Sequence, residues 1–283
     1  MPYLESIVIN CLILAVSGLS VLLIMRDLRS FPLHVAASFG VGAYIAALVL
    51  AYAKGEVIIA IVAALIGGCI FGLVAGAVTC RVPLDRQLLI YLALQIGFEV
   101  IARLWVSVTG GAAGLNVTRE LHIGAIPVSI GLLPGFTIVG LLIVGGFAWT
   151  VQRVYGPLAS LVGCGAMHAE GLGVPVRPTW VCCQSSSSSL LAGCGALYAI
   201  YVGYVSPGTA GINRSVWVIL VAVLGANRAV VGTAIGAFLV VCVSEIVGFV
   251  SLPVLISGQI QQLLTGVALA CVVLIRGRSI FGN

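Results

Sequence analysis

Nine stretches of this chain are apolar enough to sit in lipid, and they constrain its fold more than any other feature. They are Ser6–Met25, Leu33–Ala53, Val57–Cys80, Leu88–Val108, Gly131–Val151, Ser185–Val205, Ser215–Ala226, Ala229–Val250 and Ile260–Ile275. A helix needs roughly 20 residues to cross the hydrocarbon core. Most of the runs reach that length. Ser215–Ala226 is short and reads as a tilted span, a re-entrant segment or a buried half-helix, so the expected count is eight to ten membrane segments. Open strands are excluded, because lipid cannot satisfy a sheet edge. A transmembrane barrel needs polar–apolar alternation, which these runs lack. Charged residues make up 7% of the 283 and hydrophobic residues 61%, too few charges to cover a water-soluble domain of this size. The expectation is an all-α, polytopic transmembrane helical bundle over residues 1–283, with no soluble domain.

The basic residues predict an orientation. With nine spans and the N-terminus outside, cytoplasmic loops hold Arg26, Arg29, Arg81, Arg86, Arg153, Arg177, Arg228, Arg276 and Arg278, while outer loops hold Lys54, Arg119 and Arg214. That bias follows the positive-inside rule. The net charge of +5 therefore reads as topology and contact with anionic headgroups. No basic cluster points to nucleic acid. The first run lacks a basic n-region and reads as a retained helix rather than a cleaved signal.

Two segments outside the spans are long enough to hold function. Thr109–Ile130 lies on the outer side and opens with the glycine-rich turn Thr109–Leu115. Gln152–Gln184 lies on the cytoplasmic side. Its stretch Leu158–Leu172 has helical potential and should stop at Gly173, with Pro175 just beyond as a breaker. A helix parked on that face is a natural docking element. Ser185–Ser189 resembles a linker, but the apolar run that follows places it in a membrane helix, its hydroxyls closed on carbonyls one turn earlier. Gly68, Gly72 and Gly76, and again Gly232 and Gly236, sit at four-residue spacing and mark close helix packing.

Gln95, Glu99 and Arg103 form one polar stripe at i, i+4 and i+8 of the fourth run. An unpaired ion near the bilayer centre costs at least about 2.5 kcal/mol, so the stripe should face protein or water. Glu99 precedes Arg103 by four residues, the better order for an intrahelical pair. The stripe reads either as the lining of a translocation pathway or as a structural pair. Glu245 is a second membrane carboxylate. His34, just after Pro32, reads as a packing or interfacial residue. The nine cysteines show no ligand spacing, Cys182 and Cys183 being merely adjacent, so no metal site is expected. The sequence carries no phosphate-binding loop, His-Glu-x-x-His or Gly-x-Ser-x-Gly motif, and no catalytic residues are assigned.

Several ordered segments resemble the permease subunits of bacterial ABC importers for branched-chain amino acids, the Liv-type permeases. Ser30–Tyr44 is similar to that family's Ser-Leu-Gly-His segment running on to Gly-Ala-Tyr. Thr109-Gly110-Gly111 with Gly114-Leu115 resembles its outer glycine loop, and Ala169–Val174 the end of its cytoplasmic coupling segment. Leu191–Tyr198, Tyr204–Pro207, Val223–Gly225, Val231–Ala237, Gln262–Gly266 and Arg276–Gly282 continue the match. Met25-Arg26-Asp27-Leu28 stands where the family has a glycine-aromatic-alanine-glycine turn, and the segment Leu161–His168 is poorer in charge than is usual there.

The resemblance implies a subunit without nucleotide-binding motifs of its own, hence not itself an enzyme. ATP and Mg would be held by two cytoplasmic ATPase subunits. A second permease subunit, paralogous or identical, and an extracytoplasmic solute-binding protein would complete the assembly in the bacterial inner membrane. Residues 152–184 would couple to the ATPases through Leu158, Leu161 and Leu172, with Glu170 setting register and Gly173 ending the helix. The solute would be a branched-chain amino acid or a related small polar solute such as urea or an amide. A self-contained secondary transporter or channel is the alternative, although no inverted repeat is visible.

Overall fold

The structure, a computed structural model, describes residues 2–52, 56–117, 122–123, 126–127, 130–226, 229–249, 263 and 266–267. Its helices are α1 (Pro2–Leu22), α2 (Val35–Tyr52), α3 (Val57–Thr79), α4 (Leu84–Leu104), α5 (Val106–Thr109), α6 (Leu133–Cys164), α7 (Ala166–Gly171), α8 (Val176–Val202), α9 (Ile212–Gly225) and α10 (Ala229–Phe249). Four two-residue strands complete it. β1 (Leu115–Asn116) pairs antiparallel with β4 (Tyr204–Val205), and β2 (His122–Ile123) with β3 (Ile126–Pro127). The chain is all-helical in its spans, with no soluble domain among the described residues.

Six helical segments are long and apolar enough to cross a membrane: Tyr3–Asp27, Val35–Tyr52, Val57–Thr79, Arg86–Leu104, Leu133–Cys164 and Pro207–Gly225. The short run at 215–226 is thus extended by the 3-10 turn Pro207–Ala210 before α9. The last expected run, Ile260–Ile275, lies almost wholly outside the described residues. The outer faces are what lipid requires. On α3, Ile58, Val62, Ile66 and Ile70 form an exposed row at four-residue spacing, a continuous apolar surface that water would not tolerate.

Helix α8 is different. Its serines lower its apolarity below that of the six, yet 17 of its 27 residues are buried, so protein rather than lipid surrounds it. The serine run is helical, as the sequence predicted, but its bonds are not mainly local. Ser186 alone of the five closes on its own helix, donating to Cys183 O at 3.0 Å. Ser185 and Ser189 donate to Cys69 O at 3.1 Å and Leu65 O at 2.9 Å on α3. Ser187 donates to Ser20 O on α1 at 2.7 Å, and Ser188 accepts from Ser38 on α2 at 3.2 Å. Small side chains let three helices approach α8 closely, and the hydroxyls then find carbonyls across the contact.

The glycines explain how close. A β-carbon at Gly72 would lie 2.7 Å from Ser185 Cα, and one at Gly76 3.0 Å from Val181 Cα. At Gly68 it would meet Ser188 O at 2.7 Å. Helix α3 therefore lies with its backbone against α8. Gly232 and Gly236 do the same for α10, facing Gly225 Cα at 2.7 Å and Val221 O at 3.2 Å on α9.

Two expected boundaries change. The stretch Leu158–Leu172 is not one helix. Its first part continues α6, which runs 32 residues through Pro157 to Cys164. Gly165, at φ 142°, breaks the chain there, and α7 covers the rest. The expected interruption Gln152–Gln184 is likewise mostly helical, shared between α6 and α8. Proline removed the expectation of continuity, but one missing N–H at the exposed end of a long helix is tolerable.

Candidate functional site

The site is built around the break between α1 and α2, residues 28–34. Helix α1 loosens into a π-turn at Leu23–Asp27. Arg29 then takes φ 53°, the one positive φ outside glycine among the described residues. Helix α2 restarts at Val35, where Val35 and Ala36 are almost fully buried. A helix start leaves its first N–H groups without intrahelical partners, and a bundle interior offers no bulk water to satisfy them. Two distant side chains do so instead. Ala36 N–H donates to Ser215 Oγ of α9 at 3.0 Å, and Ala37 N–H donates to Gln95 Oε1 of α4 at 2.7 Å. The other end of Gln95 donates to Ala210 O at 2.6 Å, while Ser215 Oγ donates to Leu33 O at 2.9 Å.

Gln95 is therefore fully buried, with its amide committed to two backbones. Glu99 and Arg103 occupy different surroundings, forming an ion pair at 2.5 Å with side chains 21% and 57% exposed. The expected stripe divides into a buried tie and an exposed pair. Glu99 also stands near the start of α9: a β-carbon on Gly211 would lie 4.0 Å from its Oε2.

A polar seam lines the break. His34 is 1% exposed and stacks on Tyr91, with ring centroids 4.6 Å apart. Its Nε2 lies 3.2 Å from Gln184 Nε2. Ser30 donates to Gln87 at 2.9 Å, Gln87 donates to Val82 O at 2.9 Å, and Trp180 Nε1 donates to Thr79 Oγ1 at 3.1 Å. His34 Nδ1 and Gln184 Oε1 are buried with no hydrogen-bond partner among the described residues. An unmade bond of this kind costs about 1–3 kcal/mol. Gln87 and Tyr91 lie one turn apart on α4, but no local signal showed that they would meet His34, before α2, and Gln184 of α8.

The second candidate region is the end of α6. Its 32 residues span about 48 Å at 1.5 Å per residue, against a hydrocarbon core of roughly 30 Å. Part of α6 must therefore extend past the lipid. In its last turns Leu158 and Leu161 are exposed, and Leu172 and Glu170 are exposed at and beyond α7. Gly173, at φ 77°, follows α7. Its N–H donates to Glu170 O at 3.0 Å, and Val174 N–H to Ala169 O at 2.9 Å, closing the carbonyls that a helix end leaves open. Gly163 lies so close to the Asp27 carbonyl that no β-carbon would fit. The projecting end of α6 thus rests against the π-turn that leads into the break.

Apolar spans enclosing a polar seam, with one helix longer than the hydrocarbon core is thick, describe a polytopic membrane protein. The family model described as branched-chain amino acid transport system / permease component matches residues 3–273, and the chain belongs to that family. A comparison with curated proteins finds no match.

Proposed function

We propose that this chain is one half of the membrane pore of an ATP-driven importer in a bacterial inner membrane, with eight to ten membrane segments and no nucleotide site of its own. A second permease subunit would supply the other half. Two cytoplasmic ATPase subunits would hold ATP and Mg, and an extracytoplasmic binding protein would deliver the solute. The solute class would be branched-chain amino acids or a related small polar molecule such as urea or an amide.

One observation carries this reading beyond family membership: the overreaching end of α6 with α7. Leu158, Leu161 and Leu172 are apolar anchors on a surface outside the lipid, suited to a groove on a partner, and Glu170 can set register by pairing with a basic residue. Force applied there has a physical route inward. It passes from Gly163 to the Asp27 backbone, through the π-turn, to the start of α2. A push on α6 would bias the break between two arrangements, and ATP would supply the differential contacts that such a switch requires.

The test is charge reversal and backbone strain at this end. Glu170→Lys and Gly173→Val should leave the chain inserted, yet reduce co-purification of the ATPases or uncouple hydrolysis from uptake. Valine at a left-handed position costs about 1–2 kcal/mol, enough to disturb α7 without unfolding the bundle. Wild-type uptake and solute-stimulated hydrolysis in both variants would remove this segment from the mechanism. Transport by the chain with no ATPase present would favour a self-contained transporter.

A further inference from the structure

Away from the break, a cavity of about 320 Å³ lies among α1, α8, α9 and α10. Its size is at the small end of ligand pockets, which run roughly 300–1,000 Å³, and suits a single small solute. Arg214 contributes to its wall. The sequence assigned Arg214 to an outer loop, but the structure places it in the first turn of α9, folded between two rings. Its guanidinium carbon stands 4.3 Å from the Phe39 centroid and 4.5 Å from the Tyr198 centroid. No carboxylate among the described residues lies within 4.0 Å of it. The two described ion pairs are Arg26–Asp27 and Arg103–Glu99.

The rings hold the cation without neutralising it. Within an apolar bundle, an unneutralised guanidinium is a standing electrostatic cost. Its planar fork matches a carboxylate in two parallel hydrogen bonds. The same cavity carries Glu245, with Ser244 and Asn10. Glu245 accepts a hydrogen bond from Tyr3, which leaves its remaining lone pairs for a second donor. The rest of the wall includes the aliphatic side chains Ile13, Leu14 and Val241. One cavity thus offers a cation, an anion and an aliphatic surface.

The geometry points to a binding site for an α-amino acid zwitterion, with its carboxylate on Arg214, its ammonium on the Glu245 side and an aliphatic side chain against Ile13, Leu14 and Val241. This inference rests on the transport reading above and narrows it. Urea and simple amides carry no carboxylate and would leave the guanidinium unneutralised. Arg214 is then the residue that distinguishes an amino acid from a neutral solute inside the membrane, independently of any binding protein.

Saturation-transfer NMR on the full chain in lipid nanodiscs tests this at millimolar affinities. The probes are L-leucine, isocaproate (which lacks the amine), isoamylamine (which lacks the carboxylate) and urea. Leucine should bind most tightly and urea not at all. Arg214→Gln should weaken leucine and isocaproate at least tenfold and leave isoamylamine little changed. Glu245→Gln should weaken leucine and isoamylamine and spare isocaproate. Should Arg214→Gln fail to insert, Arg214→Lys keeps the charge and loses the fork, and it should weaken leucine binding severalfold. Absence of leucine binding to the wild-type chain, binding of urea as strong as that of leucine, or unchanged leucine binding in the Arg214 variants would overturn the site. ATPase co-purification measured on the same preparations reports on the importer reading separately, since Arg214 lies far from α7 in sequence and in contacts.

Discussion

Gly72→Ala is the substitution whose cost the structure fixes most closely. The added methyl would meet three atoms at once: Ser185 Cα at 2.7 Å, Ser188 Cβ at 2.7 Å and Gln184 O at 2.8 Å. Two are backbone and the third is a β-carbon, so no rotamer change can clear the space. Relaxing the nearest contact to the 3.4 Å of ordinary packing opens α3 from α8 by about 0.7 Å. That opening would stretch Ser185 Oγ–Cys69 O and Ser189 Oγ–Leu65 O from 3.1 and 2.9 Å to about 3.8 and 3.6 Å, beyond hydrogen-bond length. Overpacking costs about 1–3 kcal/mol, and each lost bond about 0.5–1.5 kcal/mol. The expected loss is therefore roughly 2–6 kcal/mol. Gly68→Ala needs the same separation, so the double variant should lose clearly less than the sum of the two singles. Gly97→Ala is the control. Its β-carbon meets nothing within 4 Å, and alanine in a helix should then stabilise by about 0.5–1 kcal/mol. Unfolding in mixed micelles by SDS titration, followed by far-ultraviolet circular dichroism, measures all four. Wild-type stability in Gly72→Ala, or strict additivity with Gly68→Ala, would refute the backbone-to-backbone contact.

Gln95→Leu should cost about 2–5 kcal/mol, because Ala37 N–H and Ala210 C=O both lose buried partners; a loss under 1 kcal/mol in the same titration would mean that other groups cap α2. For the exposed Glu99–Arg103 pair, Glu99→Gln, Arg103→Gln and the double variant should each change stability by no more than about 1 kcal/mol. A clearly larger loss in either single variant than in the double would show that one charge is stranded out of water. Single cysteines placed in Gln152–Gln184 and in Thr109–Ile130 of a cysteine-free chain should react with impermeant thiol reagents from opposite sides of the membrane, and labelling from one side would overturn the arginine-based orientation.

The spans were legible in the sequence because apolarity over roughly 20 residues is a local property. The glycine spacings on α3 and α10 were legible for the same reason. Four-residue periodicity names the face, and the structure names the partner. What the sequence could not disclose is bonding between distant segments. Gln95, Glu99 and Arg103 share a helical face, yet Gln95 is spent on Ala37 and Ala210, whose proximity depends on the whole bundle. The serine run indicated a helix, but its acceptors on α1 and α3 had no local signature. Arg214 was placed in an outer loop because the apolar run starts at Ser215. In the structure the 207–210 turn folds inward and carries the residue to two aromatic rings. Pro157 suggested a stop inside what is one helix.

The glycine contacts also have a kinematic consequence. Backbones in contact cannot rotate past each other without collision. Gly68, Gly72 and Gly76 lock α3 to α8, and Gly42 and Gly195 lock α2 to α8. Gly225, Gly232 and Gly236 lock α9 to α10, and Gly18 presses α1 against Val221 of α9. Helices α2, α3 and α8 thus form one block and α1, α9 and α10 another, and on the proposed transport reading a change of access would slip one along the other. Polar links across that plane include Ser187 to Ser20 O, Ser6 to Tyr201, Ala36 N–H to Ser215, and Arg214 between Phe39 and Tyr198. On the proposed transport reading, these hydrogen bonds and the ring clamp are the latch that such a slip would release and re-form.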